Sequence, residues 1–304
     1  MSLIDRGNLI KLYSSGLAAT RSWMDHFGAI EVHPPTLERS GENDGDRASI
    51  NAELSGTKLK LSQGNLDCLI ASSALVGKVY STMRVFRPEE GRNRLLEFTY
   101  VSLVFPGDEH RAKKLFQDLI SFVWRNWEAS AGIGKVLDFA HFDFATACEA
   151  SEIPADRDLS SADQLRLVEA NGNRAVILTN KPKSTEPFRY EFVSDETSSS
   201  LFEVILPFSG EVGTGSRLEL DQERLISSYK SSAFASDPGV EEIIRNLDFS
   251  LKKISSPSAL IGFSYERLLQ SFLGLENIVD AVPYPLNLQS SKIGGLYPFS
   301  KSMP

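Results

Sequence analysis

The chain has 304 residues, of which 41% are hydrophobic and 24% are charged, a composition typical of a globular protein with one large domain or two small ones. Two cysteines are too few for a disulfide framework or for a zinc site made of cysteines. The net charge of -8 gives no overall attraction to a polyanion, so a nucleic-acid partner would need a local basic patch. The sequence contains neither a run of about 18 apolar residues nor a signal peptide, so we expect a cytoplasmic protein with no membrane partner.

The first part of the chain predicts a helix, a strand and a β-hairpin. Apolar residues at close to 3.6-residue spacing indicate an amphipathic helix over residues 8–27, which a following glycine can end. A strand at 29–33 stops at two prolines, which cannot donate to a sheet. A helix at 66–78 leads to strands at 79–86 and 95–105, which a short polar turn joins into an antiparallel hairpin.

The remainder of the chain alternates helices and strands without an internal repeat. A long helix with a buried face is predicted around residues 115–127, and the polar, poorly periodic segment 151–173 is typical of an insertion or a surface helix. Strands are then predicted at 174–179, 188–193, 201–206 and 259–262, and helices at 222–235, 239–254 and 265–272. One α+β domain over residues 1–304, an antiparallel sheet flanked by helices, accounts for this order.

Three separated stretches carry the most specific pattern in the sequence. They are residues 27–37, with a helix end, a strand and two prolines; Phe86-Arg87-Pro88-Glu89 followed by Leu95-Leu96-Glu97-Phe98; and residues 262–268. In this order they resemble the three signature motifs of class II aminoacyl-tRNA synthetases, of which the second has the form FRxE followed by LxEF. The resemblance implies a catalytic domain that binds ATP and forms a homodimer through residues 8–37.

The second and third motifs imply the residues of the ATP site. By resemblance, Arg87 binds the α-phosphate and the reacting carboxylate, for which a planar guanidinium is well suited. Phe98 can stack on adenine, and Glu97 can accept its exocyclic amine. Arg267 would bind the γ-phosphate or lie against the adenine. The implied ATP-binding residues are Arg87, Glu89, Arg94, Glu97, Phe98, Gly262 and Arg267, with Arg87 and Arg267 as the catalytic pair. Without the other motifs, a surface arginine and a core phenylalanine in a hairpin would be the simpler interpretation.

Residues 203–217 resemble the asparaginyl and aspartyl subgroup of the family. In that subgroup two carboxylates on adjacent strands hold Mg²⁺ against the phosphates, and Glu203 and Glu211 match them. Oxygen ligands of this kind suit Mg²⁺. Arg217 matches the arginine that reads the substrate side chain, which implies a carboxylate or carboxamide there. The other implied substrate-binding residues are Gln63, Asn65 and Ser102.

Several departures from the family pattern bear on function. Ser264 stands where the family has a glycine. No acidic residue occurs in 100–104, where the subgroup holds the substrate amine, so that amine would be bound differently, be modified or be missing. The catalytic core starts without an anticodon-binding domain before it, and the hairpin loop 90–94 is shorter than the family's. Together with the negative net charge, these features argue against tRNA as a partner.

We therefore expect an ATP- and Mg²⁺-dependent enzyme that adenylates an aspartate- or asparagine-like carboxylic acid. The acyl group would then pass to ammonia or another amine without tRNA. Adenylation needs positioning and charge stabilisation more than a protein base, so it does not require a catalytic histidine or cysteine. Two alternatives remain open: transfer of the acyl group to a protein, a carrier protein or a tRNA, and a non-catalytic synthetase-like regulator.

Overall fold

The computed structural model describes residues 5–38, 49–64, 66–89, 93–131, 137–155, 157–181, 200–231, 245, 250–254 and 256–285. Its α-helices include α1 (Arg6–Phe27), α2 (Leu66–Val76), α3 (Glu109–Ala131), α4 (Phe144–Ala150), α5 (Ser161–Ala170), α6 (Gln222–Ser231) and α7 (Tyr265–Leu273). Its β-strands include β1 (Ile30–Glu31), β2 (Leu37–Glu38), β3 (Asn51–Leu54), β4 (Thr57–Leu61), β5 (Val79–Phe86), β6 (Glu97–Pro106), β7 (Phe139–Asp143), β8 (Ala175–Thr179), β9 (Phe202–Leu206), β10 (Gly210–Arg217) and β11 (Ser258–Ser264).

A sheet of eight strands forms the centre of the structure, in the order β1-β5-β6-β11-β10-β9-β8-β7. Neighbouring strands are antiparallel except at the two edges, where β1 is parallel to β5 and β7 is parallel to β8. A small antiparallel sheet has the order β2-β4-β3. The predicted fold class, an antiparallel sheet flanked by helices, is confirmed, and the predicted hairpin consists of β5 and β6. None of the helices in the described ranges is long and apolar enough to cross a membrane.

Helices α1 and α3 cover one face of the large sheet through an aromatic core. Helix α3 packs against β10 and β11, and α1 packs against α3. Trp127 in α3 donates from Nε1 to the carbonyl of Leu12 in α1 at 2.9 Å, and Tyr265 donates its hydroxyl to the carbonyl of Tyr13 at 2.6 Å. A Cβ at Gly16 would lie 2.2 Å from the Tyr265 hydroxyl, so α1 can come this close only because residue 16 has no side chain.

The opposite face of the sheet carries two apolar patches with a polar strip between them. At one end α2 packs on β5 and β6, where Leu69 and Val104 belong to one buried cluster. At the other end α4 and α5 pack on a second cluster that contains Leu178 and Ile205. Each patch excludes water from one side of the strip. The strip between them is therefore a semi-enclosed polar surface.

Several local predictions are confirmed and others differ from the structure. Helix α1 ends at Gly28, whose φ of 75° is the left-handed conformation that glycine adopts readily at a helix end. The strand predicted at 29–33 pairs only over Ile30–Glu31, because the chain then approaches the two prolines. The sequence analysis did not predict β3 and β4, although residues 58–61 of β4 alternate lysine and leucine as a strand does. The strand predicted at 188–193 lies outside the described residues, and the helix predicted at 239–254 lies mostly outside them.

Helix α5 starts with a capping box that positions part of the polar strip. The Ser160 hydroxyl accepts from the Asp163 backbone N–H at 3.2 Å, and the Asp163 carboxylate accepts from the Ser160 backbone N–H at 3.0 Å. Arg157 donates to the same carboxylate at 2.8 Å. The next residue, Gln164, accepts the backbone N–H of Glu211 at 2.9 Å with its side-chain oxygen. The cap thus fixes the helix turn that holds Glu211.

We expect the Asp163→Asn substitution to destabilise the protein near neutral pH and to lose this effect in acid. Hydrogen bonds from Arg157 and Ser160 lower the pKa of Asp163 from 3.8 to about 2. A lowered pKa stabilises the fold above the unfolded value, and this contribution is lost as the pH falls from about 4 towards 2. Urea unfolding should give a free-energy difference of about 1 kcal/mol at pH 7, in the range of other helix caps. A difference that stays constant down to pH 2 would contradict this account.

Candidate active site

Four neighbouring strands place predicted site residues in one row across the sheet. Ser102 of β6 pairs with Gly262 of β11, Gly262 pairs with Thr214 of β10, and Thr214 pairs with Glu203 of β9. Paired residues on adjacent strands point to the same face of a sheet. Residues from the second motif, the third motif and the acidic stretch, which are far apart in sequence, therefore meet on the polar strip.

Arg87 lies at the loop end of the β5–β6 hairpin, directly after β5. Its backbone N–H donates to the Leu96 carbonyl at 2.9 Å, which extends the hairpin pairing by one residue. Its guanidinium donates through Nε and Nη2 to the carbonyl of Gln63, at 3.3 and 3.2 Å. The guanidinium carbon is 5.4 Å from the ring centroid of Phe98 and 5.7 Å from that of Tyr100. These contacts orient the guanidinium group beside two aromatic rings. A site for a nucleotide needs both, because the base stacks on a ring and the phosphates pair with a cation.

The remaining hairpin residues divide between the two faces of the sheet. Arg94 forms an ion pair with Glu89, with 2.9 Å between Nη1 and Oε2. Alternation along β6 puts Glu97 on the face opposite Phe98, and its carboxylate lies 3.6 Å from Nε of Arg84. The expectation that Glu97 accepts the adenine amine gains no support from this position and stays a prediction.

Arg267 begins helix α7 directly after β11. Ser264 is the N-cap of this helix, and its hydroxyl accepts the backbone N–H of Arg267 at 3.4 Å. Ser264, which replaces a family glycine, therefore has a structural role at the start of the helix. The Arg267 guanidinium donates to the backbone carbonyl of Glu211.

Three arginines share the pocket at this end of the strip. Burial lowers the pKa of Arg267 from 12.5 to about 10; Glu211 acts in the opposite direction, and repulsion from Arg94 and Arg87 lowers it further. The guanidinium groups are thus close enough to interact electrostatically. Three guanidinium groups at one end of the strip form a concentrated positive field suited to a polyphosphate.

Gly262 lies where β11 passes closest to the aromatic residues of β6. A Cβ at this position would lie 2.5 Å from the hydroxyl oxygen of Tyr100 and 2.9 Å from the adjacent ring carbon. Any side chain here would push Tyr100 towards Arg87. The predicted need for glycine, which lets the backbone approach closely, agrees with this geometry.

We expect Gly262→Ala to weaken ATP binding about tenfold, because displacement of Tyr100 disturbs the Arg87 guanidinium. An overpacked buried contact typically costs about 1–3 kcal/mol, which sets the scale of this effect. Calorimetric titration with a non-hydrolysable ATP analogue would measure it. The double variant Gly262→Ala/Tyr100→Phe, which removes the closest atom, should recover part of the affinity. Unchanged affinity in the single variant would show that Tyr100 moves without consequence.

The two predicted metal ligands lie on the same face of adjacent strands. Glu211 pairs with Ile205, two residues from Glu203 along β9. A β-bulge between Glu211 and Gly213 shifts the register, so that the Glu211 side chain turns to the side of Glu203. Burial first, and then repulsion from Glu211, raise the pKa of Glu203 to about 8, although Lys181 acts in the opposite direction. The two carboxylates therefore repel each other, and a cation bound between them would relieve this repulsion.

The donor set at this pair fits a hydrated divalent cation. Glu203 is 4% exposed, and its Oε1 contacts the ammonium of Lys181. Among the described residues, no hydrogen bond reaches its Oε2. A buried carboxylate oxygen of this kind requires a donor or a metal. Mg²⁺ commonly uses one or two carboxylates together with water and substrate phosphates, so Glu203 Oε2 and Glu211 suit it.

The predicted substrate-binding residues lie in different surroundings. Gln63 is buried and holds Arg87 through its carbonyl, and Ser102 is buried with a hydroxyl that no described residue contacts by a hydrogen bond. Asn65 lies outside the described residues. Arg217 pairs with Ala259, so alternation along β10 puts it on the face opposite Thr214. The role of Arg217 as the residue that reads the substrate side chain gains no support from this register and stays a prediction.

The sequence analysis missed three residues that complete the site. Tyr100 lies on the same face of β6 as Phe98 and Ser102, and period-two alternation could have identified it. Lys181 follows β8 and contacts Glu203. Glu266, next to Arg267, is fully buried on the other face. The last two carried no sequence signal, because their partners are distant along the chain.

The antiparallel sheet and the three motifs that it carries define the catalytic-core fold of a class II synthetase. A family model described as "tRNA synthetases class II (D, K and N)" matches residues 5–288, so the chain belongs to this family. Its relatives include the asparagine–tRNA ligase of Vibrio cholerae serotype O1, 25% identical over 84% of this chain and 60% of the relative. The asparagine–tRNA ligase of Microcystis aeruginosa is 25% identical over 92% of this chain and 70% of that protein. The chain thus spans about 60 to 70% of the length of these two relatives.

Solved structures of similar proteins share the fold. Asparaginyl-tRNA synthetase from Pyrococcus horikoshii, complexed with asparaginyl-adenylate, superposes with a TM-score of 0.84 at 21% identity, over 93% of this chain and 69% of that one. Asparaginyl-tRNA synthetase from Entamoeba histolytica gives a TM-score of 0.83 at 18% identity, over 93% and 68% of the two chains. The catalytic-core fold that the three motifs predicted is confirmed.

The expectation that tRNA is not a partner is wrong. The relatives named above are asparagine–tRNA ligases, and the matching family consists of tRNA synthetases. A net charge is a sum over the whole chain and does not describe the local surface that a polyanion meets. The chain spans only part of the relatives' length, so the place where it begins gives no argument against tRNA.

Proposed function

We propose that this chain catalyses the ATP-dependent adenylation of an amino acid, with asparagine as the first candidate. The observation that carries this proposal is the juxtaposition of opposite charges on one face of the sheet. Arg87, Arg94 and Arg267 interact at one end, and the acidic pair Glu203 and Glu211 lies beside them. A triphosphate with its Mg²⁺ needs both a cationic cradle and carboxylates for the metal.

The proposed step is attack by a carboxylate oxygen of the amino acid on the α-phosphorus of ATP. A new P–O bond forms, the bond to the β-phosphate oxygen breaks, and pyrophosphate leaves. Arg87 donates to the oxygens on which negative charge concentrates, from a guanidinium already oriented by Gln63. Phe98 receives the adenine ring on its face. No proton has to move, so the site needs no general base.

Other residues bind the remaining phosphates, the metal and the substrate ammonium. Arg267, fixed at the start of α7, neutralises the departing pyrophosphate. Glu203 and Glu211 hold Mg²⁺, which supplies charge neutralisation at the phosphates when bound. The buried Ser102 hydroxyl and the Tyr100 ring offer an oxygen and an aromatic face to the substrate ammonium, in place of the missing carboxylates on β6.

Asparagine is the first candidate because the named relatives are asparagine–tRNA ligases. Arg217 stays the predicted reader of the far end of the substrate, and its guanidinium can donate to a carboxylate or to a carboxamide oxygen. Selection between a carboxamide and a carboxylate must therefore come from other residues of the strip. Aspartate and its analogues belong in the same assay for this reason.

Acyl transfer to tRNA is the proposed second step, again on the basis of the named relatives. Amide formation with ammonia or another amine, transfer to a protein or carrier protein, and a non-catalytic regulatory role are the alternative outcomes. A homodimer through residues 8–37 stays a prediction, supported by the exposure of Ile30 (52%) and Leu37 (47%) in that segment. Apolar side chains so exposed are typical of an interface.

Pyrophosphate exchange tests the first step. We expect exchange to require Mg²⁺ and an amino acid. Its rate should be higher with asparagine than with aspartate. The complete absence of exchange with every acid, in a sample that binds an ATP analogue, would refute the adenylation proposal and favour the regulator.

A second assay identifies the acyl acceptor. Radiolabelled asparagine or aspartate is supplied with ATP and either tRNA or ammonium, and the products are separated. An alkali-labile ester on tRNA is the expected result. An amide that forms in the presence of ammonium alone would establish tRNA-independent synthesis instead.

A further inference from the structure

A lysine lies buried at the edge of the acidic pair. Lys181 follows β8 and is 2% exposed. Its ammonium contacts Oε1 of Glu203 and lies 2.8 Å from Oδ1 of Asp158, whose side chain is 61% exposed. Lysine is almost never this buried unless it is paired. A fixed positive charge is thus built into the place where the metal is proposed to bind.

The contacts of Lys181 leave a specific part of Glu203 available. Oε1 is occupied by the ammonium, whereas Oε2 has no hydrogen-bond partner among the described residues. Glu211 approaches from the neighbouring strand on the same face. A divalent cation at Oε2 would therefore bind one oxygen of Glu203 and the Glu211 carboxylate. The Lys181 ammonium would stay on Oε1, the other oxygen of Glu203.

We propose that Lys181 is a positioning residue of the metal site, which holds Glu203 for one-oxygen coordination and makes divalent cation binding depend on ATP. This inference rests on the proposed ATP-binding function. Lys181 repels a divalent cation across the same carboxylate, so the acidic pair alone binds metal weakly. The phosphates of ATP add enough negative charge to outweigh the lysine. Metal and nucleotide then strengthen each other's binding, as linkage requires.

A purely structural role makes a different prediction. In that case Lys181 would only tie the segment before α5, through Asp158, to strand β9 through Glu203. Replacing it would then change stability without changing the affinity for a cation. A buried ion pair is weak evidence for stability in itself, so the two roles have to be separated by measurement.

Electron paramagnetic resonance with Mn²⁺ separates them. Free Mn²⁺ is titrated at pH 8.5, where protons compete little for carboxylates, with and without α,β-methylene-ATP. The wild type should bind Mn²⁺ weakly alone and much more tightly with the analogue. Lys181→Met should bind Mn²⁺ alone roughly tenfold or more tightly than the wild type, even if bulk water screens most of the repulsion. Lys181→Arg keeps the positive charge, so its affinity for Mn²⁺ without nucleotide should be as low as that of the wild type.

Two further variants locate the metal. Adding Glu203→Gln to Lys181→Met should remove the gain in affinity, because the gain requires the Glu203 carboxylate. Glu149→Gln, on the exposed end of α4, serves as the matched control and should leave Mn²⁺ binding unchanged. Circular dichroism establishes that each variant is folded.

The outcomes decide the inference in either direction. A nucleotide-free Mn²⁺ affinity of Lys181→Met within twofold of the wild type would overturn it. Tight binding of Mn²⁺ by the wild type without nucleotide would also overturn it. This measurement does not depend on the folding of any variant. If the wild type binds no ATP analogue, the proposed function fails, yet the nucleotide-free comparison still decides whether Lys181 controls the metal.

Discussion

Arg87→Ala is expected to lower the rate of pyrophosphate exchange by about 100- to 1,000-fold, the usual effect of removing a donor that stabilises transition-state charge. The guanidinium of Arg87 is oriented both by a backbone carbonyl, that of Gln63, and by two aromatic rings. The charge that it meets grows as the substrate carboxylate attacks. We therefore expect kcat to fall more than the KM for ATP rises.

Two other arginine variants sharpen this experiment. Arg87→Lys keeps the positive charge but loses the planar fork, so it should recover only a small part of the rate. Arg174→Ala removes a more exposed arginine at the far end of the sheet, where it pairs with Asp138, and should leave exchange unchanged. Folding is tested by urea unfolding, in which Arg87→Ala should cost about 1 kcal/mol for the lost hydrogen bonds. Exchange within tenfold of the wild type would exclude Arg87 from the chemical step.

The local parts of the fold and site could be predicted from the sequence because they depend on neighbouring residues. The hairpin that carries Arg87 and Phe98 follows from two β-prone runs and a polar turn, and the end of α1 follows from Gly28. The N-cap role of Ser264 was also available, since serine before a helix is a common start signal. The sequence analysis instead regarded this serine only as a substitute for a family glycine.

The row across the sheet could not be predicted, because it depends on the register of strands that are distant in sequence. A shift of one residue reverses the face of every side chain, and a β-bulge makes such a shift at Glu211. This is why Glu211 joins Glu203 while Arg217, six residues further on, points to the other face. A motif match fixes residue types and spacing, but the pairing decides which of them share a site.

Contacts between distant segments were equally inaccessible to sequence patterns. Lys181 and Glu203 are 22 residues apart in the sequence. Tyr13 and Glu266 are 253 residues apart. Neither pair belongs to a periodic pattern, and only the folded chain brings them together. The second pair gives rise to the largest expected effect on stability.

Glu266 connects three elements that support the site from the opposite face of the sheet. It is fully buried, and its two oxygens each accept the backbone N–H of Thr99 at 2.9 Å. Tyr13 of α1 donates its hydroxyl to it at 2.6 Å, and Nη1 of Arg84 lies at 3.4 Å. Thr99 follows Phe98, which is proposed to stack on adenine, and Arg267 follows Glu266 itself. One carboxylate therefore fixes α1, the hairpin and the start of α7 relative to each other.

Glu266→Ala should lower the free energy of unfolding by about 3–5 kcal/mol, because it leaves the buried Thr99 N–H and the Tyr13 hydroxyl without their carboxylate acceptor. Glu266→Gln should cost less, since its amide oxygen can still accept from Thr99. Urea unfolding measures both, with Glu149→Ala on the exposed end of α4 as the matched control, expected within about 0.5 kcal/mol of the wild type. A loss below 1 kcal/mol in Glu266→Ala would show that water or a local shift satisfies these donors.

The pH dependence of the same comparison tests the cause. Burial raises the pKa of Glu266 above 4.5, while Tyr13, Thr99 and Arg84 act in the opposite direction. For a carboxyl whose folded pKa is raised, the stabilising contribution is complete below the unfolded pKa and is lost as the pH rises through the folded one. The advantage of the wild type over Glu266→Gln should therefore be largest near pH 4 and should shrink as the pH rises. An advantage that grows with pH would mean that Arg84 and the hydrogen bonds outweigh desolvation, so that the carboxylate is held mainly as an ion.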